Sequence, residues 1–182
     1  MEMTGERQLA ADRAMVWAML NDREVLKACV PGCESMVATA EHSFDVEMNA
    51  VIGPVKARFK GKMSMSDIDP PQGYKLRFEG QSAQAGFARG EANIRLEVLG
   101  PTSTKLHYAA SAQIGGKLAQ VGSRLVDAAA GATADKFFEA FAGHIAARTA
   151  AAAGQASVPP PQARLGFWSW LMAFFRHLFS RR

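Results

Sequence analysis

The chain has 182 residues, 48% of them hydrophobic, with 21 basic against 17 acidic side chains and a formal charge of +4. Ordinary charge content without a run of 18 uncharged apolar residues excludes a polytopic membrane protein and a disordered chain, and fits one globular unit with an appendage. The basic surplus is local: residues 1–150 carry 17 side chains of each sign, whereas 151–182 carry Arg164, Arg176, Arg181 and Arg182 and no acid. A nucleic-acid module carries its excess on the folded domain, so no nucleic-acid partner is expected.

Two cysteines, Cys29 and Cys33, are too few for a disulfide framework or a four-ligand zinc site. The N-terminus, Met1-Glu-Met-Thr-Gly-Glu-Arg-Gln, has acids where a secretory signal has bases, and no apolar stretch follows them. A cytoplasmic protein with reduced thiols is expected.

The first nine residues alternate, with Met1, Met3 and Gly5 opposed to Glu2, Thr4 and Glu6, and predict an opening strand. Asp12 is placed to cap a helix over 13–20 with Met15, Val16, Met19 and Leu20 on its apolar stripe. Asp22 is placed to cap a second, carrying Val25, Leu26 and Cys29. From 34 to 114 the period changes to two, and Gly and Pro cut the stretch into runs at about 34–39, 43–51, 54–67, 73–82, 86–99 and 102–114. If Val51 faces Pro54 across the turn at Ile52-Gly53-Pro54, then Asp45 faces Lys60, Glu47 faces Arg58 and Asn49 faces Lys56. Residues 115–148 return to helical spacing, with Leu118, Val121, Leu125, Ala128 and Ala132 on one stripe continued by Phe138, Phe141 and Ile145. The order is that of an α+β fold, a curved seven-stranded antiparallel sheet wrapped around one long C-terminal helix.

The faces of the strands can be assigned from the third run, where Val55, Ala57, Phe59, Gly61, Met63 and Met65 oppose Lys56, Arg58, Lys60, Lys62 and Ser64. The same rule turns Phe44, Val46, Met48, Tyr74, Leu76, Phe78 and Gly80 inward, with Gly90, Ala92, Ile94, Leu96, Leu106, Tyr108, Ala110 and Ala112. Many of these are small, and the helix opposite them is nearly bare at Ala128-Ala129-Ala130-Gly131-Ala132. Such surfaces reach normal density only where the backbones approach closely or something else fills the space. Tight packing and an apolar ligand cavity both stand as readings. For a cavity the expected lining is Phe44, Met48, Phe59, Gly61, Met63, Met65, Phe78, Phe87 and Tyr108 from the strands, with Leu118, Val121, Leu125, Phe138 and Phe141 from the helix. Tyr74 and Tyr108 are the polar tips among these inward positions, which favours binding over an enzyme of this fold acting on a ring or lipid substrate. A ligand-free scaffold is the third reading.

Four segments together carry a resemblance: Val30-Pro31-Gly32-Cys33-Glu34, Val51-Ile52-Gly53-Pro54-Val55, Phe59-Lys60-Gly61, and Ile114-Gly115-Gly116-Lys117-Leu118-Ala119-Gln120-Val121-Gly122. Over residues 1–145 the chain resembles the carbon monoxide dehydrogenase G-subunit family of the START-like (SRPBCC), helix-grip superfamily. The resemblance implies a sheet gripping a helix over a hydrophobic cavity. It also implies an accessory role toward an aerobic molybdenum-containing carbon monoxide dehydrogenase or related hydroxylase, attachment to the inner face of the cytoplasmic membrane, and a respiratory quinone, menaquinone or ubiquinone, as carried ligand. No catalytic motif and no covalently bound cofactor come with it.

Residues 149–166, rich in Ala and Pro, have the composition of a flexible linker. After it come six of the chain's sixteen aromatics in thirteen residues. As a helix, 167–182 puts Ser169, Ala173, Arg176, His177 and Ser180 on one narrow stripe and apolar side chains elsewhere. Thirteen residues reach ~20 Å, too short to span the bilayer, so the expected role is interfacial. Phe167, Trp168, Trp170, Leu171, Phe174, Phe175 and Phe179 would enter the lipid, with Arg181 and Arg182 at anionic headgroups. Docking in a partner's groove or packing back on the domain are the alternatives.

His42, His107, His144 and His177 stand apart from one another in the chain, so no metal site is expected. Gly115-Gly116-Lys117 lacks the spacing of a phosphate loop and reads as a bend. Cys29 and Cys33 read as packed thiols, with redox contact to a quinone or partner as the alternative. Lys56, Arg58, Lys60 and Lys62 form a basic outer strip, read as a solvated face, with a docking face for the partner enzyme and then nucleic acid as the alternatives.

Overall fold

The computed structural model describes residues 1–156, and Met1–Ala147 make one compact unit, with a second beginning at Arg148. The elements run β1 (Glu2–Leu9), α1 (Arg13–Leu20), α2 (Arg23–Cys29), β2 (Cys33–Ala40), β3 (Ser43–Ile52), β4 (Val55–Asp69), β5 (Gly73–Ser82), β6 (Gly86–Gly100), β7 (Ser103–Gly115), α3 (Lys117–Gln120) and α4 (Ser123–Ala156). The side chain of Asp12 accepts from the Met15 amide, and that of Asp22 from the Glu24 and Val25 amides, so both predicted caps are made. Behind them Val16, Met19 and Leu20 of α1 and Leu26 and Cys29 of α2 are buried.

The seven strands form one antiparallel sheet in the order β1-β7-β6-β5-β4-β3-β2, so the first strand is carried across to pair with the last. The β3–β4 register differs from the expected one by two residues. Ile52 faces Val55, with Gly53 at φ +56° and Pro54 as the two turn residues, and this puts Asp45 opposite Lys62, Glu47 opposite Lys60 and Asn49 opposite Arg58. A glycine followed by a proline satisfies the two-residue turn better than Ile52-Gly53 would, because the first position needs positive φ and Pro suits the second. A shift of two preserves the pleat, so the inward and outward assignments are unchanged.

The expected single helix over 115–148 is interrupted. α3 stops at Gln120, Gly122 takes φ +91°, and α4 restarts at Ser123. The break rotates the apolar stripe: Val126, Phe141 and Ile145 are buried and Phe137 and Phe138 half-buried, whereas Leu125 is 46% exposed and Ala128 and Ala132 face outward. α4 also runs on through Thr149–Ala156, where a flexible linker was expected, because four consecutive alanines favour helix strongly. The predicted linker beyond 156 and the membrane-facing residues Phe167, Trp168, Trp170, Leu171, Phe174, Phe175, Phe179, Arg181 and Arg182 lie outside the described residues.

The core has two parts. The larger gathers α1, α2 and the C-terminal half of α4 within this unit over one end of the sheet, with Leu9, Met65, Tyr74, Leu96, Leu106, Phe141 and Ile145 buried together. The smaller, at the α3 end, consists of Ala57, Phe59, Ala85 and Leu118.

Candidate ligand site between sheet and helix

Between the fully buried residues of the two core clusters lies a strip of the inner face, on which Phe44, Val46, Met63 and Leu76 pack against the larger cluster and Ala88 and Ile114 against the smaller. Register places its residues in transverse rows: Met65, Leu76, Ala92 and Ala110; then Phe44, Met63, Phe78, Gly90 and Ala112; then Val46, Gly61, Gly80, Ala88 and Ile114. In the second and third rows every residue is half-buried, although all point toward the helix side. Opposite them α4 offers Ala129, Ala130, Gly131 and Ala134, also half-buried, and a Cβ on Gly131 would meet nothing within 4 Å. Phe137, Phe138, Phe141 and Ile145 pack α4 on the larger core, Val126 is buried near its start, and between them residues 128–134 carry only Ala, Gly and Thr side chains.

The small residues of this strip divide into two kinds. A Cβ on Gly61 would run into the Glu79 carbonyl oxygen, and one on Gly90 into that of Ser111, so these two glycines serve the curvature of the sheet. A Cβ on Gly80 meets nothing nearer than Phe59 at 3.9 Å. Close backbone approach therefore explains Gly61 and Gly90 and leaves Gly80, and Gly131 across from the sheet, unexplained by packing.

The expected lining residues fall into four groups. Phe44, Met48, Gly61, Met63, Phe78, Tyr108 and Phe138 are half-buried on the inner side, and Val121 is half-buried at the break before α4. Met65 and Phe141 belong to the larger core, and Phe59 and Leu118 to the smaller, so these four close the ends of the strip. Phe87 lies outside it: its place in the alternation of β6 turns it outward, 40% exposed, with its ring over Gly115 and under the Arg89 guanidinium. Leu125 also lies outside it, its side chain beside Gly53 at the tip of the β3–β4 hairpin.

One flank of the strip is held by a group that the sequence pattern alone did not single out. Arg7, on the inward face of β1, pairs with Asp135 of α4 and lies 5.3 Å from the centroid of the Phe138 ring. Phe138 in turn stacks on Tyr108 at 5.5 Å, and the Tyr108 hydroxyl lies where a side chain on Gly5 would be. The alternation Met3, Gly5, Arg7 carries the signal, a cation on an otherwise apolar face. The other inward phenol, Tyr74, packs edge-on against Trp17, and burial pushes its pKa above the ordinary value. Burial likewise raises Cys29 and Cys33, which keeps both as thiols and favours the packing reading over redox contact.

A concavity of about 800 Å³ is on the other side of the sheet. It is lined by the outward-facing Lys62, Ser64, Arg77, Glu79, Arg89 and Glu91 and by the Phe44–Met63–Phe78–Gly90–Ala112 row that runs between them. An open groove walled by water-facing charges of both signs cannot hold an apolar molecule dry, so the inner strip is the better ligand candidate. The basic outer strip is partly neutralised: Arg58 pairs with Glu34 and Glu47, and Lys60 with Glu47 at 3.0 Å. The Lys60 contact, with help from Arg58, holds the Glu47 carboxyl below its ordinary pKa.

Solved structures share this architecture. A conserved protein from Geobacillus kaustophilus is 30% identical, with a TM-score of 0.77, and the match covers 80% of this chain and 95% of that one. A START superfamily protein from Mycobacterium smegmatis is 15% identical with a TM-score of 0.61, over 79% and 96% of the two chains. The Zhui aromatase/cyclase from Streptomyces sp. R1128 is 15% identical with a TM-score of 0.60, over 82% and 95%. The last two speak to the fold alone. The class is thus START-like, a curved seven-stranded antiparallel sheet around a long C-terminal helix. Within that class the family model of the carbon monoxide dehydrogenase G-subunit (CoxG) matches residues 5–146, and the chain belongs to that family. Among curated protein sequences none matches the chain. No helix of the described residues is long and apolar enough to cross a membrane.

Proposed function

We propose that this chain is a non-catalytic accessory protein. It carries an apolar, quinone-like molecule between the sheet and α4, and it recruits a molybdenum-containing carbon monoxide dehydrogenase or related hydroxylase to the inner face of the cytoplasmic membrane. The observation that carries the reading is the half-buried apolar strip between the two core clusters, in a chain of the CoxG family. Methionine and phenylalanine at its border, with small residues at its centre, suit a flat apolar ring. Among the described residues the inward strand positions carry the polar groups Arg7, Tyr74, Ser82, Thr104 and Tyr108, and the Thr104 hydroxyl is engaged by the Ala11 carbonyl. Arg7 is engaged by Asp135, and Tyr74 is packed in the core, so they do not converge as a general acid and base would. The aromatic, arginine-tipped segment 167–182 supplies the membrane contact in this reading, and the outer face of the sheet, with its patterned charges, meets the enzyme.

The test is solvent extraction of protein purified from its native host, followed by mass spectrometry. A co-purifying quinone in near-stoichiometric amount is expected. Protein that yields no apolar small molecule and takes up no added quinone would contradict the carrier role.

A further inference from the structure

A quinone-like ligand has a polar end, and of the two buried side-chain atoms without a hydrogen-bond partner among the described residues, Arg13 Nε and Ser82 Oγ, the second stands on a strand of the inner face. Ser82 closes β5 on the face that carries Tyr74, Leu76, Phe78 and Gly80, so its side chain turns toward the helix side of the sheet. The residue is 9% exposed, and its Oγ is buried without a hydrogen-bond partner. Thr104, also buried, shows the usual solution: its hydroxyl donates to the Ala11 carbonyl at 2.8 Å. A hydroxyl shut away from water with nothing to bond is destabilising and uncommon.

The surroundings of Ser82 are apolar. Ala85, in the turn that follows, is fully buried, and Phe59 on the neighbouring strand is buried with it. Leu118 of α3 packs on the same cluster, its amide bonded to the Ala85 carbonyl at 2.9 Å. One pleat away is Gly80, where an added Cβ would meet nothing closer than Phe59, at 3.9 Å. An orphan donor at the end of a half-buried apolar strip can select a ligand whose own acceptor arrives in the same place. We propose that the Ser82 hydroxyl donates a hydrogen bond to an acceptor oxygen of the apolar ligand, a quinone-type carbonyl, and so fixes its ring at the α3 end of the strip. This rests on the carrier reading above.

The full chain and its Ser82→Ala form are titrated with 2-methyl-1,4-naphthoquinone and, in parallel, with 2-methylnaphthalene, which has the ring without the carbonyls. Ser82→Ala is expected to weaken quinone binding about tenfold, the usual size of one hydrogen bond, and to leave the hydrocarbon unaffected. The thermal midpoint of the unliganded protein is expected to hold or rise, since an unpaired buried hydroxyl has been removed. Equal quinone affinity in both forms overturns the hydrogen bond and leaves the carrier reading standing, as does an equal loss for both compounds, which marks packing. Failure of both compounds to bind either form overturns the carrier reading and this inference with it.

Discussion

Gly61 and Gly80 face each other across β4 and β5, and the two glycines have opposite reasons to be there. The first has no space for a Cβ, because the Glu79 carbonyl occupies it, whereas the second has space that nothing fills. Gly61→Ala is therefore expected to destabilise the protein by about 1–3 kcal/mol, as overpacking does. Gly80→Ala should be neutral or stabilising by up to about 1 kcal/mol, since glycine inside a strand is unfavourable. Urea unfolding of the two variants checks the contrast, and comparable losses would mean that the strip is closed at Gly80 as well. Seen in sequence, both were simply small residues on an inward face. The alternation of β4 and β5 was enough to orient Phe59, Met63, Phe78 and Gly80, but not to separate a glycine demanded by curvature from one beside free space, because that depends on the neighbouring strand's carbonyls. The same alternation, carried to the strand ends, reaches Arg7 and Ser82. Phe87 is hydrophobic but stands on the other side of the pleat: Ala88 and Gly90 point inward, so residue 87 points out.

Among the elements, those with a local chemical signature were legible. Asp12 and Asp22 announced α1 and α2, and Gly or Pro punctuation marked the hairpins from β3 to β7, whereas the β2–β3 turn is made at Glu41-His42, with His42 at φ +59°. What was not legible depended on competition between neighbouring options. At the β3–β4 turn, Ile52-Gly53 and Gly53-Pro54 are alternative two-residue loops, and the positive φ of Gly53 followed by proline decides for the second. At the C-terminal helix the apolar spacing from Leu118 to Leu125 continues smoothly through Gly122, but Leu118 is already committed to the small cluster with Ala57, Phe59 and Ala85. The chain turns at Gly122 and α4 begins with a new phase, so Val126 takes the buried place that the pattern gave to Leu125. At the other end of α4, alanines that looked like linker are helical, because composition alone does not separate a small-residue spacer from the residue type with the highest helix propensity.

On the scale of the whole molecule, charge is unevenly divided along the chain. Residues 1–150 are balanced at 17 against 17, and their outer sheet face carries paired and patterned charges, as at Arg58–Glu47 and Lys60–Glu47. The surplus of four arginines lies beyond residue 150, with six aromatics near the C-terminus. If that segment is the membrane contact, the full chain should float with vesicles containing phosphatidylglycerol and a chain ending at residue 156 should not, with binding of the full chain weakening as salt is raised. Equal flotation of the two would remove the tail from the membrane role. The central claim, that the apolar ligand sits between the sheet and α4, is tested most directly by methyl NMR of the full chain as 2-methyl-1,4-naphthoquinone is added. The expected result is that shifts concentrate on the inward methyls of Met48, Ala92 and Ala110, which do not line the outer groove. Shifts confined to Met1 and Thr39, at the two ends of the outer groove, with the inward methyls unmoved, would contradict it.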